Sequence, residues 1–335
     1  MIIDAHGHIT APFLLAKYPM PPALADIDGM LDRKAELGID LTIVGTPVGA
    51  GTMMPLPGQD NYDQSADEVR HYNEWIGQTV HEHPGRLLAY VYTNPFGGER
   101  MLADAAAVVR DSAFVGFMVN TSVRGEYLDS EKADDFFAMV AEADVPVFLH
   151  PPAEPVGSHA LHDFRLVEQV ARFCDVSTAV AALIFAGRLE RDPSLRLVCA
   201  TAGGALALVA GRLDTAYAPR HHGPPAGGPP GGGPPRGGPP GGGPPIRFEN
   251  RISQPPSTFL RRVYVDTANP ARASHLANME VMGADHIVFG TDSPPLSSPL
   301  ADAIAMVRGL PISDEEKDGI LGGNARRLFG IDNGT

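Results

Sequence analysis

Met1-Ile2-Ile3-Asp4-Ala5-His6-Gly7-His8-Ile9 opens the chain with an apolar run that gives way to two histidines two residues apart. On an extended backbone side chains at i and i+2 point the same way, so both imidazoles can reach one ion as the chain leaves a strand. The same grammar, an apolar run followed by a polar side chain, recurs at Val145-Pro146-Val147-Phe148-Leu149-His150-Pro151 and at Ile287-Val288-Phe289-Gly290-Thr291-Asp292-Ser293-Pro294. Read outward from these three stretches, the candidate strands are Met1–Asp4, Leu41–Gly45, Leu87–Tyr92, Phe114–Val119, Pro146–Leu149, Leu195–Ala200, Val263–Asp266 and His286–Gly290. Most are continuously apolar, as parallel strands covered on both faces are. Helical patterns lie between them at Ile27–Leu37, Tyr62–His83, Arg100–Arg110, Ser130–Ala143, Phe164–Ala186, Ala205–Asp214, Ala271–Met282 and Leu300–Val307. A closing helix runs from Ser313 to Phe329, and Ser313 with Glu316 has the spacing of a capping box. Eight strand–helix alternations predict an α/β chain folded as a (β/α)8 TIM barrel, with its chemistry at the C-terminal ends of the strands. No GxGxxG follows the first strand, which speaks against a dinucleotide site.

Composition narrows the function. The chain has 335 residues, 44% hydrophobic and 20% charged, an ordinary globular mix. We expect one domain over 1–335. With 26 Lys and Arg against 40 Asp and Glu, the net charge of -14 argues against nucleic acid or an anionic membrane as partner. Cys174 and Cys199 are the two cysteines, too few for a disulfide scaffold, and they fit a reducing cytoplasmic setting. Cys199 within the sixth strand, Cys174 in a helix and Trp75 read as packing residues. No apolar run is long enough to span a membrane, and the N-terminus shows no secretory signal. Gly223 to Pro245 holds 11 Gly and 10 Pro in 23 residues. We read 223–245 as a flexible low-complexity insertion in a surface loop, because Pro lacks a donor and Gly is costly to order.

At the strand ends, His6, His8, His150 and Asp292 form a candidate metal set. Three imidazoles and a carboxylate converging on a barrel mouth suit a divalent ion, zinc first and manganese second, with a position open to water. Arg124, in the loop after the fourth strand, can pair with a substrate carboxylate through its planar fork. Asn120 closes the fourth strand and faces the mouth. Asp266, Thr267 and Asn269 follow the seventh strand, where a rim network and substrate contact are equally expected, and His71, His81 and His83 are expected to lie solvated on a long polar helix.

With these residues in place, the chain resembles the amidohydrolase superfamily. HxH after the first strand, the LHP of the fifth and the FGTDSP of the eighth carry the likeness. Further support comes from Asn120 to Asp129, Gly187 to Asp192, Gly203–Leu206, Gly211–Asp214 and Ile320–Phe329. The branch is the one containing aminocarboxymuconate-semialdehyde decarboxylase, resorcylate-type decarboxylases and oxalomesaconate hydratase, and MIIDAHGHITAP is especially like the hydratase.

The resemblance implies that His6, His8 and His150 ligate the metal and that Asp292 ligates it or handles a proton. It implies a small carboxylic acid as substrate, and a homodimer is allowed. The branch normally has His-x-Gly-Gly after the sixth strand. Here Ala200-Thr201-Ala202-Gly203-Gly204 puts Thr201 at the position of that His. A hydroxyl cannot titrate near neutrality, so Thr201 is a candidate catalytic position with altered chemistry, and Glu154, His159 and His162 are candidate substitutes. Non-oxidative decarboxylation, with Asp292 delivering a proton to carbon, is the leading expectation. The rivals are hydrolysis or hydration of a small acid, ester or lactone, which needs a base, and a catalytically impaired barrel that binds a ligand.

Overall fold

Apolar strands and amphipathic helices alternate along the computed structural model, which describes residues 1–218, 250–295 and 299–332. The strands are β1 (Ile2–His8), β2 (Ile39–Gly45), β3 (Leu87–Tyr92), β4 (Phe114–Asn120), β5 (Val147–His150), β6 (Leu197–Cys199) and β7 (Val263–Val265). They form one curled, all-parallel sheet in chain order. Every residue of β3, β4, β5 and β6 is buried. That explains why those strands read as uninterrupted apolar runs rather than alternating ones. The helices that cover the sheet are α1 (Ile27–Glu36), α2 (Ala66–Glu82), α3 (Gly98–Val108), α4 (Asp134–Ala143), α5 (Arg172–Phe185), α6 (Leu206–Tyr217), α7 (Arg272–Met282) and α8 (Leu300–Arg308). Among the described residues no helix is long and apolar enough to cross a membrane. The Gly/Pro-rich stretch expected as an insertion, 223–245, lies outside the described residues.

Several boundaries differ from the sequence reading, each for a local reason. β1 runs on through both histidines instead of ending at Asp4, so His6 and His8 share one face of a true strand. α2 begins at Ala66 rather than Tyr62, because Ser65 caps Glu68 and Glu68 returns the bond. The expected capping box at Ser313 and Glu316 is present. Two expected continuous helices are broken. A π turn over Val167–Ala171 precedes α5, and another over Gly319–Gly323 interrupts the closing helix. In the second, the Ile320 carbonyl accepts from the Phe289 N–H, which draws that carbonyl toward the sheet. Cys199 is buried as expected, but Cys174 lies exposed on α5.

The same bond explains why the expected strand His286–Gly290 is irregular. Ala284–His286 forms a 3-10 turn, and Phe289 spends its N–H on the closing helix instead of on a neighbouring strand. The segment still lies between the two ends of the sheet. Val265 bridges Ile287 in parallel, the Val288 N–H donates to Val265 O (2.9 Å), and the Ala5 N–H donates to Phe289 O (2.8 Å). Gly290 makes this approach feasible. A Cβ there would stand 2.9 Å from His6 Cβ and 3.0 Å from Asp266 Cβ.

Candidate metal centre

β1, β5 and the segment after Phe289 bring His6, His8, His150 and Asp292 together, with one ligand atom of each inside a 4.8 Å sphere of mutual distances. The imidazole rings meet edge to face at 4.9–5.2 Å between centroids. His6 Nε2 lies 3.1 Å from His8 Nε2, and Asp292 Oδ1 lies 3.1 Å from His8 Nε2 and 3.6 Å from His6 Nε2. All three histidines are buried, while the Asp292 side chain keeps 17% exposure.

Each ring is held from behind. His8 Nδ1 donates to the Gly45 carbonyl (2.9 Å) and His150 Nδ1 to the Pro151 carbonyl (2.9 Å). A carbonyl only accepts, so the proton of each neutral ring sits on Nδ1 and the lone pair on Nε2. His6 Nδ1 faces Asp266 Oδ2 at 2.6 Å, which assigns the same tautomer. Three Nε2 lone pairs and a carboxylate therefore point at one another. A cation satisfies that arrangement, whereas neutral neighbours would leave the lone pairs in mutual repulsion. The donor set fits a divalent ion.

Electrostatics follow the same geometry. Burial alone would pull His6 down, but the carboxylates of Asp292, Asp266 and Asp4 outweigh it and leave its pKa above the usual 6.5. Burial, then the neighbouring His8 and His6, push His150 well below that value. Burial would raise Asp292, yet the three histidines, where they carry a proton on both ring nitrogens, outweigh it and hold the carboxyl well below its usual range.

Two carboxylates behind the cluster do more than the sequence suggested. Asp266, at the end of β7, accepts from the Ala202 N–H (2.7 Å) and the Ala268 N–H (3.1 Å) while it holds His6. The signal for it was present, an acid at a strand end, but its partner is 260 residues away in the chain. Asp4 accepts from the His6 N–H, the Thr291 N–H and hydroxyl, and the Lys34 ammonium at 2.7 Å. Lys34 and Asp4 are both fully buried, so α1 contributes a buried ion pair that ties β1 to the segment carrying Asp292.

The other expected residues separate. Asn120 is buried in register with His150 on the neighbouring strand, and neither its amide nitrogen nor its oxygen has a partner among the described residues. Arg124 is 53% exposed and paired with Asp60 (2.7 Å) and Asp63, so its charge is already matched. Thr201 begins a turn in which it and Ala202 both have positive φ, 52° and 55°. Its hydroxyl donates to its neighbour's carbonyl, Ala200 O (2.8 Å). Glu154, His159 and His162 are exposed and stand outside the cluster. Thr267 exchanges hydrogen bonds with Gly290, as the rim-network alternative has it. His81 is exposed and pairs with Asp111, but His83 is partly buried against Thr79 O and Asp28.

Comparisons with known proteins agree with this geometry. A family model described as amidohydrolase matches residues 3–331. The 2-amino-3-carboxymuconate-6-semialdehyde decarboxylase of Dictyostelium discoideum is 22% identical over 266 residues, covering 79% of this chain and 67% of its own. Among solved structures, 5-carboxyvanillate decarboxylase LigW from Sphingomonas paucimobilis superposes with a TM-score of 0.74 at 20% identity, covering 99% of both chains. A dihydroxybenzoic acid decarboxylase from Polaromonas sp. JS666, solved with manganese and the inhibitor 2-nitroresorcinol, gives a TM-score of 0.71 at 19% identity, covering 98% of this chain and 97% of that one.

Proposed function

The chain belongs to the amidohydrolase family, and from that premise we propose that it removes carbon dioxide, without oxidation, from a small aromatic or unsaturated carboxylic acid. The observation that carries the reading is the convergence of His6, His8, His150 and Asp292 with every Nδ1 already committed behind it. We assign these four as the metal ligands, zinc or manganese both suiting a set of imidazoles and a carboxylate. A divalent ion held by these four residues would supply the positive charge that stabilises negative charge as the bond to carbon dioxide breaks.

The remaining work falls to the protein. As the carbon–carboxylate bond breaks, its electron pair stays on carbon and a proton must arrive there. Asp292 is the most exposed of the four and is the residue we assign to carry that proton. Asp292 enters the step as a carboxylate with part of its side chain open to solvent, so it takes up a proton from water before handing one on to carbon. Asn120, buried beside His150 with unspent donors and acceptors, is assigned to a substrate oxygen. Thr201 offers no base, and that favours decarboxylation over hydrolysis, in which a water must be deprotonated.

The reading includes a closed (β/α)8 barrel over 1–335 as one domain, with 287–289 as the eighth strand. The hydrogen bonds of that segment to Val265 and Ala5 support it. The relatives named above are decarboxylases of small acids, which supports the reaction class. The test is carbon dioxide release from a panel that includes 2,6-dihydroxybenzoate and 5-carboxyvanillate. Release that disappears with a chelator and in Asp292→Asn is expected. Hydrolysis of an ester or lactone by a parent that releases no carbon dioxide would replace this reading.

A further inference from the structure

We propose that Arg172 anchors the carboxylate of the substrate, its guanidinium tying together two loops that leave the sheet at Gly45 and at His150. The inference rests on the decarboxylase reading and supplies the acid-recognising group that Arg124, bound to Asp60 and Asp63, does not.

The placement comes from where two excursions begin and meet. One leaves β2 at Gly45, whose carbonyl holds His8. The other leaves β5 at His150 itself. β3 and β4 separate these strands in the sheet, yet Arg172 Nη2 at the end of the second excursion donates to Met53 O in the first (3.1 Å). The tie therefore joins the loop that starts at the carbonyl holding His8 to the loop that starts at His150.

The guanidinium also lies 5.8 Å from the centre of the Phe164 ring, an apolar flank for a planar fork. Its Nε is sealed from solvent and has no hydrogen-bond partner among the described residues. A buried, unpaired N–H of a cation is costly, and an anionic oxygen is the partner that would recover the cost. Burial lowers the guanidinium's pKa, and the carboxylates of Glu168 and Asp292 act against that shift. The π turn over Val167–Ala171 directly precedes the residue. Such turns often mark functional positions because they redirect the side chains that follow.

The test compares a carboxylate with its neutral isostere on the manganese-loaded full chain. Binding of 2,6-dihydroxybenzoate, 5-carboxyvanillate and benzoate is measured by calorimetry, beside the corresponding amides, with bound metal determined separately. Arg172→Met should weaken the acids about 10- to 100-fold and the amides less than about 2-fold, with metal content unchanged. Arg172→Lys should fall between, because it keeps the charge and loses the fork. Free guanidinium should restore part of the acid binding in Arg172→Ala. Equal loss for acids and amides would overturn the proposal, as would unaltered acid affinity in Arg172→Met, or a metal-loaded parent that binds none of the acids. Bound metal and acid binding without carbon dioxide release would sink the proposed reaction and leave this inference to the binding comparison.

Discussion

Each ligand imidazole is fixed by one acceptor behind it, and that makes the centre sensitive to single atoms. His6→Ala or His150→Ala should lose the bound metal, while His81→Ala, which removes an exposed partner of Asp111, should keep it. Elemental analysis of the purified variants checks this, and full occupancy in both cluster variants would defeat the ligand assignment. Asp266→Asn should lower metal affinity by about 10- to 100-fold, since an amide cannot hold His6 as a carboxylate does. A metal titration reads that loss. The four cluster residues were legible in the sequence because each stands at or just after the end of an apolar run, with His6 and His8 sharing the first. Asp266 as the holder of His6 was not, because the pairing joins β7 to β1 and no local pattern encodes it. Arg124 shows the opposite failure. Its type and loop position suited a substrate anion, but Asp60 and Asp63, more than 60 residues earlier, already match its charge.

At the scale of elements, α1 and the turn after β6 act on the centre from outside it. Lys34 reaches from α1 to Asp4, and Asp4 spends its oxygens on His6 and Thr291. Lys34→Met should cost about 3–5 kcal/mol, because it strands a buried carboxylate. Denaturant unfolding measures the loss, and Asp4→Asn in the same chain should return part of it. The turn at Thr201–Gly203 holds Asp266 through the Ala202 N–H, while Asn278 holds the Ala202 carbonyl. A β-branched residue at φ 52° is strained. Thr201→Gly should therefore be neutral or stabilising by up to about 1 kcal/mol, relief of the Cβ clash being offset in part by the freer unfolded chain. Gly290→Ala should cost about 1–3 kcal/mol, because its methyl would crowd His6 and Asp266. Thermal melts of the two variants should move in these different ways. Strand identity was readable here because burial on both faces makes apolar runs. The π turn over Gly319–Gly323 and the irregular segment at 287–289 were not, since both involve one carbonyl, Ile320 O, drawn to the distant Phe289 N–H.

Across the whole molecule, chain order and sheet order coincide, so residues near positions 6, 150 and 292 meet at one rim. Removal of carbon dioxide at that rim leaves a proton on the carbon that carried the carboxylate, and the proposed path delivers it from a group that exchanges with solvent. The metal-loaded protein turning over a carboxyl-13C-labelled 2,6-dihydroxybenzoate or 5-carboxyvanillate in deuterium oxide follows both events at once. The account predicts labelled carbon dioxide in step with a product bearing one deuterium at the former carboxylate carbon, with both lost in Asp292→Asn while bound metal is measured separately. Labelled carbon dioxide at the parental rate from Asp292→Asn, or no labelled carbon dioxide from any acid of the panel in a fully metallated parent, would contradict it.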